Sequence, residues 1–232
     1  VVVNCGWPAD TCFCTSMDTG PHVESRSLAH DLEVTELVDA ADTAADPRYV
    51  VRAISERGRR MVDQLLDDGL ASPQADADAA GVAETRDAAI ERINRRLDPA
   101  AVRDRLGDAH DAAAWDEIAE TCLACGNCTA VCPTCFCTTI DDVGDLTGRH
   151  VDRWRAWESC FSLEFSRLGS DFVRSSLASR YRQWMTHKLA SWHDQFGESG
   201  CVGCGRCTAW CPVGIDFVHE ATRLSELQGV TS

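Results

Sequence analysis

The chain has 232 residues, fourteen cysteines and a formal charge of -15. That length allows one sizeable domain or two small ones. The acidic balance argues against nucleic acid and anionic membranes as partners, and no apolar run approaches the ~20 residues of a membrane helix.

Val1-Val2-Val3-Asn4-Cys5 reads as a buried strand already under way without an initiator Met, so residues upstream of it are expected. A Gly- and Pro-rich loop follows, carrying Cys5, Cys12 and Cys14, then a second turn at Met17-Asp18-Thr19-Gly20-Pro21. The apolar residues Leu28, Leu32, Val34, Leu37 and Val38 are compatible with either a strand or a short helix. Asp46-Pro47, Ser72-Pro73 and Asp98-Pro99 each place a capping residue before a proline at a first helical position. Three helices are expected from them: one with Val51, Ile54, Met61, Val62, Leu65 and Leu66 on its buried face, closed by Gly69; one reaching Leu97; and a short one to Leu106. A fourth helix, with Trp115, Ile118 and Cys122 on one side, leads into the next feature. Beyond it, Trp154, Trp157, Phe161, Phe165 and Leu168 read as an aromatic helical stripe, and a further helix is expected from about Asp171 to Trp192.

The strongest signal is a pair of runs, Cys122-x2-Cys125-x2-Cys128-x3-Cys132-Pro133 and Cys201-x2-Cys204-x2-Cys207-x3-Cys211-Pro212. This is the spacing with which bacterial ferredoxins hold 4Fe-4S clusters, the fourth cysteine of each run ligating the other cluster. The expected ligand sets are therefore Cys122, Cys125, Cys128 and Cys211 for one cluster, and Cys201, Cys204, Cys207 and Cys132 for the second. A single C-x2-C pair would equally suit zinc; two complete copies with matching Gly-x-Cys-Thr-Ala and Cys-Pro flanks favour iron and sulfide. Metal spacing, with no signal peptide, also points to a reducing cytoplasm rather than a secreted disulfide scaffold. The motifs start 79 residues apart, too far for the short hairpin link of a compact ferredoxin. The expectation is a mainly α protein with an α-helical ferredoxin-like dicluster domain and a small irregular or β N-terminal segment. The expected divisions are 1–45, ending a truncated domain with a third cluster loop; 46–109, helical; and 110–232, the dicluster domain.

Six cysteines remain: Cys5, Cys12, Cys14, Cys135, Cys137 and Cys160. Thr11-Cys12-Phe13-Cys14-Thr15 recurs as Thr134-Cys135-Phe136-Cys137-Thr138. Cys160, beside aromatic residues, reads equally well as a buried small hydrophobe. Cys5, Cys12 and Cys14 sit in a polar loop and are expected to help hold a third 4Fe-4S cluster, completed by Cys160, Cys135, Cys137 or a carboxylate such as Asp10. No Gly-x-Gly-x-x-Gly, P-loop or His-Glu-x-x-His occurs, so no nicotinamide or flavin site and no catalytic residue is assigned. Basic residues concentrate in 149–188, eight against four acidic, including Lys188, the one lysine of the chain.

Residues 120–137, Trp157-Glu158-Ser159-Cys160-Phe161, Ser179-Arg180-Tyr181-Arg182 with His187-Lys188, and 201–216 resemble one family, as does the Thr-Cys-Phe-Cys-Thr-Ser-Met-x-Thr-Gly-Pro stretch of 11–21. It is the iron–sulfur protein family shared by cytoplasmic sulfhydrogenases, as their β subunit, and by anaerobic sulfite reductases. Its members usually carry a further N-terminal region. The resemblance implies an electron-transfer subunit of an oxidoreductase complex. On one side its partner would be a flavin- and NAD(P)-binding subunit. On the other, electrons would pass to or from the small and large subunits of a NiFe hydrogenase, or a sirohaem sulfite reductase. The remaining alternative is a free-standing ferredoxin.

Overall fold

The computed structural model describes residues 1–23, 29–38, 46–110 and 113–226. Leu28, part of the undecided apolar stretch, lies outside them. Two units are present, Val1–Arg95 and Arg96–Ser232.

In the first unit, strands β1 (Val2–Val3), β2 (Leu32–Leu37) and β3 (Arg48–Ala53) form a sheet in that order, β1 parallel and β3 antiparallel to β2. The stretch left open between strand and helix is therefore a strand. Pro47 precedes a strand rather than a helix: Tyr49, Val50 and Val51 are β formers and pair with Glu36, Thr35 and Val34. The expected helix begins only at α1 (Glu56–Asp67), where the Ser55 hydroxyl accepts the Gly58 N–H at 3.0 Å. Gly69 does close that turn, with φ +68°. Helix α2 (Asp76–Arg92) starts three residues after Pro73, the Asp78 carboxylate accepting the Ala75 N–H at 3.0 Å. On β2, Glu33 is buried and held by Arg52 and by His30 at 3.0 Å. Burial alone would raise its carboxyl; those hydrogen bonds outweigh it and hold Glu33 below the ordinary value.

In the second unit, α3 (Pro99–Asp108) starts where expected, the Asp98 carboxylate accepting the N–H groups of Ala100 and Ala101. Helix α4 (Ala114–Thr121) buries Trp115 and Ile118 and stops at Cys122. Then come the short α5 (Asn127–Ala130), an antiparallel hairpin of β4 (Thr138–Gly144) and β5 (Val151–Trp157), and a two-residue ribbon of β6 (Arg167–Leu168) and β7 (Asp171–Phe172). Helix α6 (Leu177–Thr186) starts at Ser176, whose hydroxyl accepts the Ser179 N–H at 3.1 Å. It runs on through a π turn (His187–Ser191) into α7 (Trp192–Phe196). The chain then forms α8 (Arg206–Ala209) and α9 (Phe217–Glu226). The core lies where α4 and α6 pack together and where α3 meets α9 and the π turn.

The mainly α expectation is overturned: among the described residues 43% are helical and 15% are in strands, with strands in both units. The supposed aromatic helix is the main reason in the second unit. Trp154 and Trp157 lie on β5, opposite Asp141 and Thr138, and are 64% and 50% exposed. Their three-residue spacing imitates a helix face, but Arg153 is clasped by Asp142 across the strands, at 2.7 and 2.8 Å. Likewise Asp171 lies in the β6–β7 ribbon, so that helix starts at Leu177 instead.

Candidate metal centre

Each Cys-x2-Cys-x2-Cys run folds as a loop ending in a single helical turn. Gly126 caps α5 and Gly205 caps α8, both left-handed (φ 74° and 67°), which turns the chain sharply between the second and third cysteines. The two turns pack against each other. Earlier in each loop a backbone N–H reaches the first sulfur: Ala124 N to Cys122 Sγ at 3.5 Å, and Gly203 N to Cys201 Sγ at 3.4 Å. A third such contact runs from Ile215 N to Cys211 Sγ at 3.3 Å.

The structure brings Cys122, Cys125, Cys128, Cys207 and Cys211 onto one cavity, walled by Phe161, Tyr181, Trp184, Ile215 and Phe217. The third and fourth cysteines of the second run thus face the first run. Burial, and then the neighbouring Cys122, Cys125 and Cys211, push the Cys128 thiol up to about 12. The Trp184 Nε1 is buried with no hydrogen-bond partner among the described residues, as is Arg180 Nε. An apolar wall, five cysteine thiols along it and an unsatisfied indole donor fit a sulfide-bearing inorganic group, whose sulfurs accept hydrogen bonds. Over this loop lies the Trp157–Phe161 segment: Ser159 Oγ pairs with Thr129 Oγ1 at 2.8 Å and accepts the Phe161 N–H at 3.1 Å.

Cys132 keeps company with the second run. Burial raises the thiols of Cys201, to about 12, and Cys207; Cys132 and Cys204 stand among the charged neighbours of both. Cys132 itself is held well below the ordinary thiol value, first by the Cys135 hydrogen bond and then, against burial, by the Lys188 ammonium. Cys135 is raised in turn as the proton-holding member of that pair.

Of the six further cysteines, Cys137 and Cys160 are hydrogen-bonded to each other, with Cys135 a neighbour of Cys160. Cys160 is buried beside Phe161. In the first unit, Phe13 is completely buried and fixes the loop between Cys12 and Cys14. Burial, then the neighbouring Cys12 and Cys5, raise the Cys14 thiol. Gly20 closes against it: an added Cβ would lie 3.3 Å from Cys14 Sγ. Asp10, on the same loop, is exposed, and its carbonyl accepts a hydrogen bond from Arg95 at 3.0 Å. Among the described residues no three His, Cys, Asp or Glu side chains are arranged to hold a single metal ion.

Lys188 falls in the sequence within a basic stretch and among the residues that carry the family resemblance, with no signal of its burial. It is 3% exposed, and its ammonium donates to Thr134 Oγ1 at 2.9 Å and to the Gly200 carbonyl at 3.2 Å. Its position follows from the π turn, for which spacing offers no signal.

Residues 121–215 match the family model of the 4Fe-4S dicluster domain. Over 223 residues the chain is 28% identical to the sulfhydrogenase 2 subunit beta of Pyrococcus furiosus, covering 94% of this chain and 61% of that protein. The chain thus spans less than two thirds of the length of the curated relative it matches. No solved structure matches the chain. Residues 121–215 are thus similar to a 4Fe-4S dicluster domain, and the chain as a whole is similar to a sulfhydrogenase β subunit.

Proposed function

We propose that this chain, an iron–sulfur protein with a dicluster domain related to sulfhydrogenase β subunits, relays electrons inside a NiFe-hydrogenase-type complex. It would link a flavin- and NAD(P)-binding subunit to the small and large hydrogenase subunits, in a reducing cytoplasm. No helix among the described residues is long and apolar enough to cross a membrane.

The observation that carries this reading is that Cys211, with Cys207 before it, shares one cavity with Cys122, Cys125 and Cys128. It supports cross-ligation, with Cys122, Cys125, Cys128 and Cys211 around one cluster and Cys201, Cys204, Cys207 and Cys132 around the other. Each cluster supplies reversible one-electron storage. The chain's own part is to hold the sulfurs, screen them with Phe161, Tyr181 and Trp184, and direct the N–H groups of Ala124, Gly203 and Ile215 at them. These donors favour the more negative, reduced form. Cys5, Cys12 and Cys14, carried on one loop, would hold a third cluster in the first unit, its fourth ligand open among Cys160, Cys135, Cys137 and a carboxylate such as Asp10.

Anaerobic purification from the native host tests the proposal. It predicts co-purifying flavin and NiFe subunits and about twelve irons per chain, four for each cluster. About eight irons would remove the third cluster. A sirohaem partner would transfer the relay to sulfite reduction, and an active monomer without partners would leave a free ferredoxin.

A further inference from the structure

Lys188 is the one lysine in a chain whose 22 basic residues are otherwise arginine. It is buried, and it sits in the π turn that interrupts the α6–α7 helix. Such turns are irregular insertions often found at functional sites. An ammonium is compact and has three donors. Two go to Thr134 Oγ1 and the Gly200 carbonyl, at 2.9 and 3.2 Å; the third is in reach of Cys132. Thr134 also donates to the Gly200 carbonyl at 2.6 Å and pairs with Cys132 Sγ at 3.2 Å. Gly200 immediately precedes Cys201, and its N–H returns to the Lys188 carbonyl at 2.8 Å. One buried cation thus ties together the two chain segments that carry Cys132 and Cys201.

The other ligand set has a different environment. A cationic neighbour there is Arg180, beside Cys122; its Nε is buried, but the residue as a whole is only half-buried and its Nη1 donates to the Ser175 carbonyl at 3.4 Å on the surface. Water and salt screen such a charge far more than one enclosed by protein.

We propose that Lys188 sets the potential of the cluster held by Cys201, Cys204, Cys207 and Cys132, keeping it above that of its twin. Each electron taken up adds one negative charge, and a fixed buried cation at the ligand sulfurs stabilises that reduced form. An electron entering the pair then rests on the Lys188 side. The inference rests on the ligand sets proposed above.

The test is an EPR-monitored redox titration of the whole chain, comparing wild type with Lys188→Gln, which retains a donor without the charge, and Lys188→Met. Loss of one signal in Cys204→Ala identifies the Lys188-side cluster. The expected result is a fall of about tenfold in the reduction equilibrium of that cluster alone, or about 59 mV for one electron. Equal movement of both signals, or of neither, would overturn the proposal. Should the uncharged variants fail to hold the cluster, retention in Lys188→Arg supports a requirement for charge, and loss there as well contradicts it. A wild-type chain without 4Fe-4S signals would instead be the failure of the ligand sets.

Discussion

Ala124 and Gly203 occupy the same place in the two cysteine loops, and both are left-handed, with φ of 52° and 64°. Each sends its N–H to the first sulfur of its loop, at 3.5 and 3.4 Å. The second loop meets that conformation with glycine, whereas the first carries a Cβ through a region costing about 1–2 kcal/mol for ordinary residues. Ala124→Gly is therefore expected to stabilise the folded protein by about 1 kcal/mol, and Gly203→Ala to destabilise it by a similar amount. Anaerobic denaturant unfolding checks both; a destabilising Ala124→Gly contradicts the reading.

Gly58 in α1 is a harder constraint. A Cβ there would lie 2.0 Å from the Asp31 carbonyl oxygen, which already accepts the Ile54 N–H at 2.8 Å. Because the obstacle is backbone, no rotamer relieves it. Gly58→Ala should cost about 3 kcal/mol, the upper end of overpacking penalties. Its thermal midpoint should fall well below that of the exposed control Gly107→Ala, where an added Cβ meets nothing within 4 Å. Equal midpoints would refute the tight approach.

How legible the chain was depends on the range of each interaction. Cysteine spacing and the Asp98-Pro99 cap are local chemistry, and both were readable without the fold. Pro47 misled because a capping residue before proline can also lead into a strand, and here pairing of Val50 and Tyr49 with Thr35 and Glu36 decides. Trp154 and Trp157 misled because their strand partner lies across a hairpin, invisible to a helical period. The separation of the cysteine runs suggested helices alone, yet part of it is this β ribbon. The burial of Lys188 depends on contacts 12 and 54 residues away.

Metal-free thiols in both runs should make cluster assembly pH-dependent. Burial raises Cys128 and Cys201 to about 12, above the ordinary thiol value near 8.5. These groups hold protons at neutral pH and must release them to bind iron, so assembly becomes more favourable as pH rises. Reconstitution with limiting iron and sulfide should reach a higher visible absorbance at about pH 8.5 than at about pH 7. A yield falling with pH would contradict that order of events.

Cross-ligation is the central structural claim, and iron counting in paired variants tests it most directly. Cys122 and Cys211 belong to different sequence motifs but line the same cavity. The double variant Cys122→Ala/Cys211→Ala should lose one cluster, about four irons per chain, and retain the EPR signal of the other. Cys122→Ala/Cys132→Ala, confined to one motif, should lose about eight. The reverse pattern, about four irons lost from the within-motif pair and about eight from the cross-motif pair, would show that each run closes its own cluster and would contradict cross-ligation.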